Sequence, residues 1–119
     1  MTMDELRALC LSLPGAHEKE TWGDAERAGD VTFRVKDKIF AMTGPEGGGV
    51  TIRTTVDQQA ELVDTFPDLV RPASYVGRFG WVVVEMDAFD DALLRDLLVG
   101  AWRRTATKAV VRAWEEGRS

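Results

Sequence analysis

The stretch Val31-Thr32-Phe33-Arg34-Val35-Lys36-Asp37-Lys38-Ile39-Phe40-Ala41-Met42 decides how the rest of the chain is read. Val31, Phe33 and Val35 alternate with Thr32 and Arg34, the period of two expected of a strand with one buried face. Ile39 to Met42 forms a second β-prone run. Lys36-Asp37-Lys38 between the two runs is short enough for a tight hairpin. Downstream, Gly44-Pro45-Glu46-Gly47-Gly48-Gly49 reads as another turn, and residues 50–54 as a third strand of the same meander.

Beyond the meander the period changes. Thr55 with Gln58 has the spacing of a capping box, which opens a helix to about Phe66, closed by Pro67. Residues 71–75 read as extended or irregular, and Trp81 to Met86 as a central strand rich in valine. Asp90 then caps what reads as one long helix over about 91–115, with Leu94, Leu97, Leu98, Ala101, Thr105 and Ala109 at helical spacing and Gly117 at its end. Upstream, residues 17–22 read as a short strand and residues 24–30 as a polar loop. Thr2 and Glu5 cap a first helix over residues 2–13, whose Leu6, Leu9, Cys10 and Leu13 form one apolar stripe. Strands grouped between helices predict an α+β domain over residues 1–119, with helices on one face of a mainly antiparallel sheet.

Composition bounds the function. At 45% hydrophobic and 29% charged residues the chain has the make-up of a globular protein rather than a disordered one. The net charge, 15 − 20 = −5, opposes non-specific attraction to nucleic acid or anionic membrane, yet is compatible with a local basic patch. A single cysteine permits no intrachain disulfide, and no basic segment precedes a long apolar run. A cytoplasmic monomer with no membrane association is the expectation.

The residues that carry chemistry are few. Cys10 and His17, the only thiol and the only imidazole, would make a nucleophile pair only if they met. Cys10, however, lies inside the apolar stripe, where a cysteine acts as a small core residue. Glu18 and Glu20 share a strand face, with Asp4, Glu5, Asp24 and Glu26 as candidate neighbours for a hard cation, iron included, or for acid–base work. A solvated strand face is the simpler account of them. The triple glycine leads into a strand and lacks the lysine of a phosphate loop, so it reads as a turn. No catalytic, metal or cofactor site is expected.

Positive charge is the one pattern left over. Arg104, Lys108 and Arg112 fall at i, i+4 and i+8 with Arg103 beside them, a basic stripe on the last helix. Arg34, Lys36, Lys38 and Arg53 add cations from the sheet, and Arg78 from the loop before the last strand. Together they form a candidate surface for tracking phosphates. The cation preference of a helix C-terminal half accounts for part of the stripe. Trp22 and Trp81 are candidate stacking faces for bases, against the commoner role of tryptophan in a small core.

Several segments in order resemble the MmcQ/YjbR family of small bacterial proteins: residues 11–15 (LSLPG), Glu18 to Gly23 ending in Trp-Gly, and residues 33–41 (FRVKDKIFA). Phe66-Pro67, residues 71–75 (RPASY), Trp81, Ala101-Trp102 and Thr107-Lys108 continue the match. The resemblance implies a fold similar to CyaY, the bacterial frataxin homologue. It also implies DNA binding, with hairpins acting as wings beside a helix. Three functions are therefore weighed: a non-enzymatic DNA-binding module, an adaptor for a protein or small ligand using residues 71–81, and a cation site on the acidic edge.

Overall fold

The structure, a computed structural model, describes residues 1–21, 29–44, 47–74 and 76–117. Its centre is the hairpin read above. Strands β2 (Asp30–Val35) and β3 (Lys38–Thr43) pair antiparallel from Val31↔Thr43 to Val35↔Lys38, with a register shift after Phe33. The turn is Lys36-Asp37, one residue shorter than the sequence reading, because Lys38 already belongs to β3. Lys36 takes a left-handed conformation (φ 55°) that glycine or asparagine adopts at less cost. Two side chains brace it. His17 Nε2 donates to the Lys36 carbonyl at 2.7 Å, and Arg34 Nη1 donates to the Asp37 carbonyl at 3.4 Å.

The sheet grows outward on both sides. β1 (Ala16–Thr21) pairs with β2, and β4 (Gly49–Arg53) pairs with β3. Beyond β4 lie β6 (Trp81–Glu85) and the edge strand β5 (Val70–Pro72). All neighbours run antiparallel, in the order β1-β2-β3-β4-β6-β5. Trp81 to Glu85 is thus an interior strand, as its valine run predicts. The segment 71–75 supplies part of an edge strand. The expected loop over 24–30 falls mostly outside the described residues, and Asp30 belongs to β2.

One face of the sheet is covered by helices, and the other carries Thr32, Met42, Thr51, Val83 and Trp81. Val31, Phe33, Val50, Ile52, Val82 and Val84 bury their side chains under α1 (Met3–Ser12) and α3 (Asp91–Thr105). Leu6 and Cys10 of α1 and Leu94, Leu98, Ala101 and Trp102 of α3 are fully enclosed. Trp102 Nε1 donates to the Pro14 carbonyl at 2.9 Å, so the largest core side chain leaves no polar atom unpaired. Helix α2 (Val56–Thr65) packs Leu62 on the same side, and Phe66 meets Phe89 edge-on at 5.0 Å.

Helix caps follow the sequence with one exception. Thr2 and Glu5 make the full reciprocal box. Thr55 accepts from the Gln58 amide, but Gln58 turns its side-chain oxygen to Arg104 instead of back to the cap.

The long final helix is corrected. It breaks at Ala106-Thr107 into α3 and α4 (Lys108–Gly117). Thr105 Oγ1 donates to the Ala101 carbonyl, and Thr107 Oγ1 accepts from the Val110 amide. Two threonines thus satisfy the ends of two helices in place of one continuous ladder.

Candidate nucleic-acid interface

Register decides where the candidate residues go. Ala16, Val35, Lys38, Arg53, Pro72 and Trp81 all lie at one end of the sheet, because each stands at the same end of its antiparallel strand. The hairpin tip with Lys36 is at this end, as are the β4–α2 turn and the 3-10 turn Gly77–Phe79 that precedes β6. Helix α3 ends there too: Arg53 Nη1 donates to Thr105 Oγ1 at 3.2 Å, and Arg104 Nη2 to Gln58 Oε1 at 3.3 Å. Four regions distant in sequence (the hairpin tip, the end of β4, the 3-10 turn and the α3–α4 junction) therefore bring Lys36, Lys38, Arg53, Arg78, Arg104 and Lys108 to one pole, against Asp37 and Asp57.

The opposite pole is acidic. Glu20, Asp30 and Glu85 sit at the far strand ends, where Arg71 is ion-paired with Glu85 at 2.6 Å. Asp87, Asp90 and Asp91 follow β6 into α3, and Asp4 and Glu5 open α1, whose start is tied there by the Met1 amine donating to the Met86 carbonyl and Asp91. The net charge of −5 thus hides a polar distribution.

Individual side chains differ in their freedom. Lys36, Lys38, Arg78, Arg104, Lys108 and Arg112 are exposed. A cleft of about 340 Å³ lies between the hairpin tip and the helix break, lined by Lys36, Asp37, Lys38, Thr105 and Thr107. Arg34 is less free: it donates to Thr32, Thr21 and Asp37, so it braces the sheet face and hairpin. Arg53 is half-buried against Thr105. Arg103 is turned toward α4, 3.4 Å from Glu115 and 5.3 Å from the Trp114 ring centroid. The break at residue 106 also divides the stripe read as Arg104, Lys108, Arg112. Lys108 and Arg112 share a shallow recess with Arg103 on the α4 side, while Arg104 faces α2.

Of the two tryptophans named as stacking faces, Trp22 lies outside the described residues and Trp81 is half-buried in β6. Among the described residues the exposed aromatic is Phe79, at 61%; Val56 is 57% exposed. Phe79 lies within residues 71–81, the segment weighed above as an adaptor surface, whereas nothing in the sequence marks Val56.

The other chemistries lose their geometry. Cys10 is enclosed, and burial pushes its thiol up to about 12, while His17 is engaged with the hairpin turn. Glu18 is held by Arg7 through two hydrogen bonds of 2.6 and 3.2 Å, and Glu20 accepts from the Gly29 amide. Asp24 and Glu26 lie outside the described residues. Among the described residues, no three His, Cys, Asp or Glu side chains are arranged to hold a metal ion, and no helix is long and apolar enough to cross a membrane.

Comparison with known proteins fits this architecture. The Deinococcus radiodurans protein DR2400, which carries the domain DUF419, superposes with a TM-score of 0.78 over 94% of this chain and 86% of its own, at 24% identity. That likeness shows the fold. No curated protein matches. The model of the YjbR family matches residues 11–104, from the end of α1 through the sheet to the end of α3. The chain belongs to the YjbR family.

Proposed function

We propose that this protein is a non-enzymatic module that binds DNA through its basic pole. The observation that carries the reading is the uneven placement of charge: cations from four separate regions of the chain meet at one end of the sheet, against Asp37 and Asp57, while a larger group of carboxylates gathers at the other. A protein of net negative charge gains phosphate affinity only if its cations are concentrated and its carboxylates held away, since screening at physiological salt acts over about 8 Å. The cleft between the hairpin tip and the α3–α4 break, whose lining includes the Asp37 carboxylate, supports the same reading with ammonium groups on one wall and the Thr107 hydroxyl on the other. Both are ordinary phosphate donors.

Fluorescence anisotropy on labelled duplex and single-stranded oligonucleotides, taken over a salt series, tests the reading. Binding should appear at low salt and weaken on a log–log line with a slope of about −0.9 per duplex phosphate contacted. Arg104→Glu with Lys108→Glu should weaken it at least about tenfold and flatten the line. Absence of binding at low salt, or an unchanged affinity in the double variant, overturns the reading. A second reading, an adaptor for another protein, is favoured by the exposed Phe79 and Val56.

A further inference from the structure

We infer that the turn Gly77–Gly80 is a seat for an unpaired base, so that the preferred ligand is single-stranded DNA or a strand end rather than blunt duplex. The inference rests on the DNA-binding reading above and narrows its ligand class.

Phe79 combines exposure with rigidity. An aromatic ring 61% in solvent is usually carried by loose chain, but here the backbone beneath it is fixed from several sides. Gln59 Nε2 donates to the Gly77 carbonyl at 2.6 Å and to the Trp81 carbonyl at 2.9 Å, spanning the turn. The amide and the hydroxyl of Thr54 both donate to the Gly80 carbonyl. Gly80 itself has φ 94°, and a Cβ there would stand 2.6 Å from the Thr55 carbonyl carbon. The next strand can start only if the turn keeps this shape, so the backbone that carries the ring is held in place. Ordering costs at binding are correspondingly small.

The surroundings specify the partner. The backbone of Val56 lies against the turn, 2.8 Å from where a Gly80 Cβ would stand, and its side chain is exposed. The Arg78 guanidinium lies 4.7 Å from the Phe79 ring centroid. Arg104 reaches Gln58, the residue beside the clamping Gln59, and Arg53 lies opposite Trp81 in the register. An exposed aromatic ring with a guanidinium over one of its faces complements a ligand with a planar face and an adjacent anion, which is the chemistry of a nucleotide. Stacking on an aromatic ring is tolerant of base identity but requires a base free of its own stack. Duplex interiors do not offer one.

The test compares wild type, Phe79→Ala and Phe79→Tyr on a single-stranded oligonucleotide, a blunt duplex and a length-matched polyglutamate, with 2-aminopurine in the single strand reporting stacking. Phe79→Ala should lose about tenfold in affinity for the single strand and less than about twofold for the blunt duplex. Its salt slope should not change, and Phe79→Tyr should restore binding. The 2-aminopurine emission should change on binding to wild type and not to Phe79→Ala. Equal effects on both DNA forms, or none, overturn the inference while leaving DNA binding intact. Polyglutamate bound as tightly as the single strand and with the same dependence on Phe79 overturns it in favour of an acidic protein partner. Wild type that binds neither DNA form removes the DNA reading itself, and the inference with it.

Discussion

Cys10 packs against the sheet with its sulfur enclosed, and the loss of hydration raises its thiol from 9.0 to about 12, with the Glu18 carboxylate adding to the rise. The unfolded thiol ionises first, near 9.0. The protein's stability should therefore be constant with respect to this group below that pH and fall as pH rises from 9 toward 12. Thermal melts of wild type and Cys10→Ser between pH 8 and 11 should show the extra slope in the wild type alone. The native thiol should also react with a disulfide reagent at pH 8 at least about a hundredfold slower than the urea-unfolded chain. Gly80 is the other residue with little freedom. Gly80→Ala must place a methyl against backbone in a left-handed conformation, and should cost at least about 2 kcal/mol in urea unfolding. A cost below about 0.5 kcal/mol would mean that the turn under Phe79 can move.

The elements differ in how firmly they are tied to the core. Helix α3 buries five residues, among them Trp102, whereas α4 buries none and is held by Trp114 against Trp102 at 5.1 Å and by Arg103. Amide hydrogen exchange should find α4 opening well before α3. Thr107→Ala should remove the bond to the Val110 amide, cost α4 about 1 kcal/mol locally and speed exchange at Val110 and Val111, with the α3 amides unchanged. Uniform protection across the two helices would instead mean that they behave as one. The break between them was written in the sequence as Thr105-Ala106-Thr107. Thr105 and Ala109 keep helical spacing across it, and period alone does not show which hydroxyls will take over the backbone groups. The β-strands show more plainly, since apolar residues on a core-facing side repeat every two residues, as Val31, Phe33 and Val35 do.

Over the whole molecule, the arrangement of charge is what the function would use. Reversing charge at the acidic pole, with Glu85→Lys and Asp87→Lys, should change DNA affinity by less than about threefold at 150 mM salt, because that pole lies well beyond a screening length from the basic one. Lys36→Glu with Lys38→Glu should abolish most of it. Equal effects of the two pairs on binding would mean that net charge, rather than its placement, governs the affinity. The sequence by itself determined the α+β class, the hairpin, the helix starts at Thr2, Thr55 and Asp90 and the burial of Cys10. Each of these depends on neighbours within a few residues, through periodicity or a capping hydroxyl. Only the tertiary structure decided that Lys36, Arg53, Arg78 and Arg104 share one pole, that Arg34 and Arg103 are held by neighbours, and that Phe79 rather than Trp81 stands in solvent. Those outcomes depend on strand register and on how α3 crosses the sheet, which are set by packing between segments up to some ninety residues apart, as the Trp102–Pro14 bond shows.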